Sequence, residues 1–496
     1  MDDICDIGHW KLIRCALPDT NAGYIIITTT RTMTVAEHIG GAYNLKPLSL
    51  QNSRILLYGR IFGNEGMDKC PEEGLIEVSN KILKKCAGVP LAIITIAGLL
   101  ASKRRNKMDW YEVHNSIGTG LENNQDVMNM RKILSLSYYD LPAHLRTCLL
   151  YMSVFPEDYE VKQDDLIWLW IGEGFIQSGK QGKSLFEVGE SYLNELINRS
   201  MIQPVYKYIV KDIFDCRVHD MVLELISSLS AEENFVTISN GVRHNSPSKK
   251  DRRLSLQSDK ADHATLSVTM SMPQGVRSVV GFDSVVDLLA PSLHAFRGLR
   301  VLCLKGSHIP KCSPIKCLGN LVQLRCLFIT GSMAQLPEEI GNLKYLQILH
   351  VAGSSIMRIP STVVQLKDLI CLKFNSGVTL SKRFGSLTSL VELSYCWVED
   401  HPTRNIEELS NLTELRVLSF CSYTVTWDDS LNKSLVECLC KLQKIQILDI
   451  SIGNGESNLD GWVAPSHLRR LRISSAGSPR CQLGCPNRRF LLTFPC

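Results

Sequence analysis

Several absences narrow the chain before anything present in it does. Nowhere in its 496 residues does the pattern G-x-x-x-x-G-K-[ST] occur, so the glycine-rich loop that cradles nucleotide phosphates on backbone amides is not among its motifs. No apolar run is long enough to cross a bilayer. The longest, Val89 to Ala101, is 13 residues, against about 20 for a spanning helix, and reads as a buried helix. The amino terminus opens Met1-Asp2-Asp3, without the charged-then-apolar order of a secretory signal. The net charge is only +4, short of the basicity that drives electrostatic binding to nucleic acid. No Ser-His-Asp or Cys-His grouping carries a recognisable nucleophile signature.

What is present is globular in composition: 45% apolar and 21% charged residues, in a length that suits roughly two to four domains. The 18 cysteines are scattered rather than framed, and Cys148, Cys303, Cys326 and Cys371 sit inside apolar runs. There a thiol acts as a small buried hydrophobe. A large chain that uses cysteine this way reads as intracellular and reduced.

The second half repeats. An L-x-x-L-x-L pattern starts at Leu299, Leu324, Leu346, Leu369, Leu390, Leu415, Ile445 and Leu468. The spacing falls in the range of leucine-rich repeats, about 20–29 residues, with one insertion. Each repeat supplies a short strand whose leucines point inward, and stacking makes the core continuous. The residue between the last two apolar positions faces the concave surface: Cys303, Phe328, His350, Lys373, Ser394, Ser419, Asp449 and Arg472. This row is mixed in charge and size, which favours a protein-reading or self-inhibiting surface over a nucleic-acid stripe. Phe328, His350, Lys373, Asp449 and Arg472 are the candidate partner-binding residues.

The first half mixes elements. "YIIITTTR", Tyr24 to Arg31, reads over residues 24–30 as a parallel strand buried on both faces, with Arg31 at the carboxyl end where ligands of such sheets sit. In "CAGVPLAI" Pro90 opens a helix, and its ring could pack on an adenine. "DDLIWLWIGEGFI" (Asp164 to Ile176) reads as a helix capped by Asp164 or Asp165 and closed near Gly172 and Gly174, its tryptophans more often core than cofactor box. In "RVHDMVLELI" Val218, Val222, Leu225 and, beyond it, Leu229 share a helical face. His219 lies at the start of that helix, where dipole and imidazole could hold a phosphate or where it could be structural. The polar stretch 241–253 reads as a linker. Cys481 and Cys485 lack the second ligand pair a zinc site needs.

In order, these motifs resemble the NB-ARC module of plant NLR disease-resistance receptors of the coiled-coil class. Asp2-Asp3 matches the end of kinase-2, Thr30-Arg31 the sensor strand, Gly88-Val89-Pro90-Leu91 the GLPL motif and Val218-His219-Asp220 the MHD motif, with valine for the usual methionine. "SLSYYDLPAHLRTCLLYMSVFPED" is similar to the block that opens the winged helix. The resemblance implies an α/β, α and repeat architecture. A partial P-loop NTPase-type sheet would occupy 1–45, a helical ARC1 subdomain 46–135 and a winged-helix ARC2 subdomain 136–240. A linker (241–275), a leucine-rich repeat solenoid (276–475) and an atypical tail (476–496) would follow.

It also implies an ADP/ATP-gated switch with Mg²⁺, and no enzyme beyond weak ATPase activity. Asp2 or Asp3 would face Mg²⁺ and water, Arg31 the γ-phosphate, Pro90 the adenine and His219 the ADP β-phosphate. Expected partners are a pathogen effector or a guarded host protein, the chain's own repeats against its NB-ARC part, and further copies on activation, with no nucleic acid and no membrane span. The expected location is cytoplasmic, with a peripheral plasma-membrane or nuclear pool left open. Because the chain begins inside kinase-2, tight nucleotide binding is not expected of it as written. The competing expectation is an interaction protein with repeats and no working switch.

Overall fold

The structure is a computed structural model. It describes the chain apart from residues 1–3, 5, 17–25, 31–32, 41–42, 44, 64–72, 118–125, 178–182, 207–213, 240–251, 258–274, 283–295, 309–317, 333–334, 354–355, 399–400, 456–458, 476–489 and 494–496. Contacts divide the chain into two compact units, 1–130 and 131–496.

The first unit is helical: α1 (Ile7–Ala16), α2 (Met33–Ile39), α3 (Leu50–Phe62), α4 (Ile76–Cys86), α5 (Pro90–Ser102) and α6 (Lys107–Ser116). The apolar run becomes α5, in which Leu91 to Ile93 and Thr95 to Leu100 are buried. Pro90 takes the first helical position, where its missing N–H leaves no helical bond unmade. Gly88 just before it has φ +74°, and a β-carbon there would lie 2.4 Å from the Leu48 carbonyl oxygen, so only glycine fits this turn.

The sheet expected over residues 24–30 is not found among the described residues. Residues 26–30 have no strand assignment, although Ile4 N–H donates to the Thr29 carbonyl at 2.9 Å. Ile27 is 74% exposed, the reverse of a strand buried on both faces. Among the described residues no strand pairs with this apolar run, and the local core is a small cluster of Ile4, Trp10 and Val35.

The second unit opens with α7 (Asp126–Tyr139, which straddles the division), α8 (Ala143–Tyr151), β1 (Val161–Lys162), α9 (Gln163–Glu173), α10 (Leu185–Asn198), β2 (Gln203–Val205), β3 (Asp215–Arg217) and α11 (Asp220–Glu232). The three strands pair antiparallel in the order β1-β3-β2. Ser184 and Glu187 form a capping box at the start of α10, and Gly174 closes α9 in the left-handed conformation.

The repeats follow as one sheet in sequence order. Its strands are β4 (Thr237–Ser239), β5 (Arg253–Leu256), β6 (Ser278–Phe282), β7 (Val301–His308), β8 (Cys326–Ser332), β9 (Ile348–Ala352), β10 (Cys371–Thr379) and β11 (Glu392–Trp397). They continue with β12 (Val417–Trp427), β13 (Ile447–Gly455), β14 (Arg470–Ser475) and β15 (Phe490–Thr493), with α12 (Pro402–Leu409) and α13 (Asp429–Lys441) on the turns after β11 and β12. Pairing is parallel up to β14, and β15 closes the end antiparallel. The motif leucines form one continuous core with Leu302, Leu327, Leu349, Leu372, Leu393, Leu418 and Leu448 aligned strand to strand. The sheet begins earlier than its leucine pattern announces. β4 lies at the end of the preceding segment, and β5 lies in the stretch read as a linker, because three of its four residues are buried.

Of the eleven cysteines in the described residues, Cys15 and Cys440 are exposed and nine are buried. Burial pushes the Cys303 thiol up to about 11 and those of Cys86 and Cys438 up to about 12, which keeps them protonated and unreactive at neutral pH. Thiol labelling of the native chain, mapped by peptide mass spectrometry, should therefore modify Cys15 and Cys440 first among these eleven. Labelling of Cys326 or Cys371 at a similar rate would contradict the packing.

Candidate functional site

Helix α9 is apolar on nearly every side: Leu166 to Gly172 are all buried. Such a helix needs cover all round, and the concave face of the repeats supplies part of it. At Gly172 a β-carbon would meet Cys326 Cβ at 2.6 Å and Ile348 Cδ1 at 3.6 Å, so glycine sets how closely α9 can approach β8 and β9. Trp168 Nε1 donates to Glu392 Oε2 on β11 at 2.8 Å. Beside the helix, Ser255 Oγ of β5 donates to the Val154 carbonyl.

The centre of this contact is ionic. Asp165, in the first turn of α9, lies 3.5 Å from His350 Nδ1 and 3.6 Å from Lys373 Nζ. Lys373 also lies 3.5 Å from Asp164 and 3.7 Å from Glu392, and Ser394 Oγ donates to Glu392 at 2.9 Å. These ion pairs are longer than charge-assisted hydrogen bonds, so the cluster holds by charge balance more than by directed bonds. Burial works to raise the Asp165 carboxyl, but the summed charges of His350, Lys373, Lys305 and Lys162 outweigh it and hold the group below the ordinary value. Burial likewise opposes the Lys373 ammonium, and Glu392, Asp164 and Asp165 overcome it, leaving the amine well above its ordinary range. Lys305 sits among aromatic rings, 5.4 Å from Phe155, 5.1 Å from Tyr159 and 5.9 Å from Phe328, a cation–π setting.

Two further strips extend the contact. Arg253 of β5 donates to Glu173 at the end of α9 at 2.8 Å and lies over the Phe235 and Phe175 rings. On α10, Glu187 completes its capping box and also accepts from Arg416 and Gln446 at 2.9 Å each. Arg469 pairs with Glu190 at 2.7 Å.

Comparison with known proteins identifies both halves of this contact. Residues 154–226 match the family described as the disease resistance protein winged helix domain, and residues 275–483 a leucine-rich repeat region. Disease resistance protein RGA5 of Oryza sativa subsp. japonica is 30% identical over 91% of this chain and 41% of its own length. The chain belongs to the plant NLR disease-resistance family.

Disease resistance protein Pik-2 of the same organism is 32% identical over 75% of this NLR chain and 37% of its own length. Disease resistance protein RPP13 of Arabidopsis thaliana is 28% identical over 97% and 52%. The chain thus spans 37% to 52% of the length of these three relatives. Among solved structures, the Leptospira interrogans LRR protein LIC12759 overlays with TM-score 0.32 and 15% identity, over 46% of this chain and 62% of that one, a likeness too distant to add to the sequence matches. No helix among the described residues of the NLR chain is long and apolar enough to cross a membrane.

The residues singled out in the sequence land in different settings. Asp2, Asp3 and Arg31 lie outside the described residues, as do Cys481 and Cys485. Pro90 is exposed at the start of α5. His219 is half-buried and is the N-cap of α11, where its Nδ1 accepts the Met221 N–H at 3.3 Å. The capping expected of Asp164 or Asp165 is not made: Lys162 precedes the helix without a side-chain cap, and both carboxylates turn to Lys373 instead.

The concave row is in register as expected, Cys303–Phe328–His350–Lys373–Ser394 and Ser419–Asp449–Arg472. Its use differs by position. Phe328, His350 and Lys373 are 0%, 1% and 8% exposed, so the chain's own winged helix covers the surface assigned to a partner. The cause is α9, whose apolar surface has to be buried. Asp449 and Arg472 are only half-buried and pair with each other at 3.3 Å.

Sequence reading missed Asp165, Trp168, Gly172 and Glu392 as members of a joint site. Glu392 alone carried a signal, a carboxylate in a position that neighbouring repeats fill with Val301, Cys326, Ile348, Cys371, Val417 and Ile447. A buried charge there calls for a partner from elsewhere.

Proposed function

We propose that this chain is the restrained regulatory part of an intracellular immune receptor of NLR type. Winged helix and repeats are held together at rest, and a pathogen effector or guarded host protein that binds the repeats shifts the balance toward release. One observation carries this reading: α9 lies on the concave repeat surface through the buried group Asp165, His350, Lys373 and Glu392. A ligand can free it only by binding the released form more tightly than the docked one. Two sets of contacts compete for one face, so a partner that needs Phe328, His350 or Lys373 has that differential affinity built in. The part of the concave row outside that contact, around the half-buried Asp449 and Arg472, is where first contact would be made.

The switch would be gated by ADP and ATP. His219 suits a phosphate by its place as the N-cap of α11, where the positive end of the helix dipole favours an anion. Pro90, exposed beside a helix start, would lie against the adenine. Bound nucleotide would supply the charge that sets the two states, with Asp2 or Asp3 and Arg31 toward Mg²⁺ and the γ-phosphate.

Nucleotide released from the purified, denatured chain tests this. On the switch reading ADP is recovered from the wild type, and several-fold less from His219→Ala, whose fold should lose only the cap, about 1 kcal/mol; the missing phosphate loop argues for weak retention in both. A folded wild-type chain without ADP would favour the second reading, a repeat protein that binds partners without a working switch.

A further inference from the structure

The contact between winged helix and repeats buries several polar atoms that it does not pair. Among the described residues no protein group hydrogen-bonds to the Tyr151 hydroxyl, the Ser278 hydroxyl or Glu173 Oε1, and all three atoms are buried. Asp165 Oδ1 makes charge contacts with His350 and Lys373 but no hydrogen bond. Roughly nine in ten buried polar groups are paired, so such a gathering in one contact calls for a reason.

Three of these atoms sit toward the carboxyl end of α9. Glu173 is its last residue, and its Oε2 accepts from Arg253 of β5. Ser278 of β6 stands in register with Arg253 on one side and Val301 on the other. Tyr151 closes α8, with its ring against Phe155 and Phe175. Burial, and then the negative charge of Glu173, push the Tyr151 phenol well above its ordinary value, so the hydroxyl keeps its proton.

Packing asks for neither hydroxyl. The position of Ser278 is filled by Val301, Cys326, Ile348 and Cys371 in the repeats that follow, so an apolar side chain suits it. The rings beside Tyr151 are phenylalanines, and a phenylalanine in its place would keep those contacts. Removing a buried polar group that has no partner ends its desolvation cost, whereas removing one member of a bonded pair adds such a cost. When α9 lifts from the sheet, water reaches these atoms, and the released form gains what the docked form lacks.

We propose that these unpaired groups are a release device, which keeps the docked form only marginally favoured over the released one. The inference rests on the restraint reading above and adds its setting: the contact is poised to be opened by a partner of modest differential affinity.

The test uses the full chain and the rate at which iodoacetamide labels Cys371, mapped by peptide mass spectrometry. Cys371 is fully buried on the concave face, in register with Ile348 and Glu392, so its labelling reports the lifting of α9. Tyr151→Phe/Ser278→Ala should slow it several-fold and raise the melting temperature. Thr95→Val, which removes an equally unpaired buried hydroxyl from α5 of the first unit, should leave the rate unchanged. Gly172→Ala, which forces α9 away from β8, should speed it. A double variant labelled as fast as wild type or faster, with Gly172→Ala faster, overturns the device and leaves the restraint standing. Equal slowing in Thr95→Val would mark a general gain in stability and overturns the device as well. Unchanged labelling in Gly172→Ala would remove the restraint itself, and the device with it.

Discussion

Lys373→Met is expected to destabilise the second unit by about 3–5 kcal/mol, the usual cost of removing one partner from a buried ionic group. The variant leaves Asp165 and Glu392 buried without their shared cation. In the wild type, the Asp165 carboxyl lies below its ordinary 3.8 and contributes stability that is present above that value and lost as pH falls through the folded one. The Lys373 amine lies well above its ordinary 10.5 and contributes stability that is present below that value and lost as pH rises through the folded one. The cluster therefore supports the fold across the window between those ordinary values. In Lys373→Met the orphaned carboxylates are relieved by taking up protons, so the deficit against wild type should shrink as pH falls from 7 to 5. Urea unfolding at pH 5, 7 and 9 measures this. Asp165→Asn combined with Lys373→Met should cost less than the two single changes added together, as for groups in one network. An unchanged midpoint at pH 7 in Lys373→Met would show that the pair contributes nothing.

The second large effect is expected at Gly172. In an isolated helix, alanine in place of glycine is favourable by about 1 kcal/mol. Here the new β-carbon would stand 2.6 Å from Cys326 Cβ. Two β-carbons cannot move aside as a flexible side-chain tip can, so α9 and β8 must separate by about 1 Å at a cost of about 1–3 kcal/mol. That displacement also strains the Trp168 to Glu392 hydrogen bond. Gly172→Ala should lower the melting temperature and speed proteolytic cutting between the winged helix and the repeats. Cys326→Gly in the same chain should reverse the second effect, because it removes the obstructing atom. A more stable Gly172→Ala chain would mean that helix propensity outweighs contact and that α9 does not press on the sheet.

The repeat sheet was legible from spacing because stacking demands periodicity: each L-x-L strand uses the same inward positions, so Leu327, Leu349 and Leu372 could be placed before any coordinate was known. The start of the sheet was not legible, since β5 has only Leu254 and Leu256 to announce it and lies in a polar stretch. Likewise Pro90 at a helix start and the buried tryptophans of α9 follow from local chemistry. The buried-strand reading of residues 24–30 is not met at the described residues 26–30, where Ile27 is exposed, because an apolar run records that burial is suited to it and not which neighbours provide it.

Sequence alone therefore determined the solenoid, its inward leucines, the winged-helix block and the family, because those depend on patterns local to a few residues or repeated along the chain. Only tertiary structure decided that the concave surface at Phe328, His350 and Lys373 is occupied by α9, and that Asp165 and Glu392, 227 positions apart, share one ammonium group. A carboxylate in the sequence carries no mark of which distant charge will neutralise it. That choice is made when two apolar surfaces close and the charges at their edges must balance or leave water unpaired.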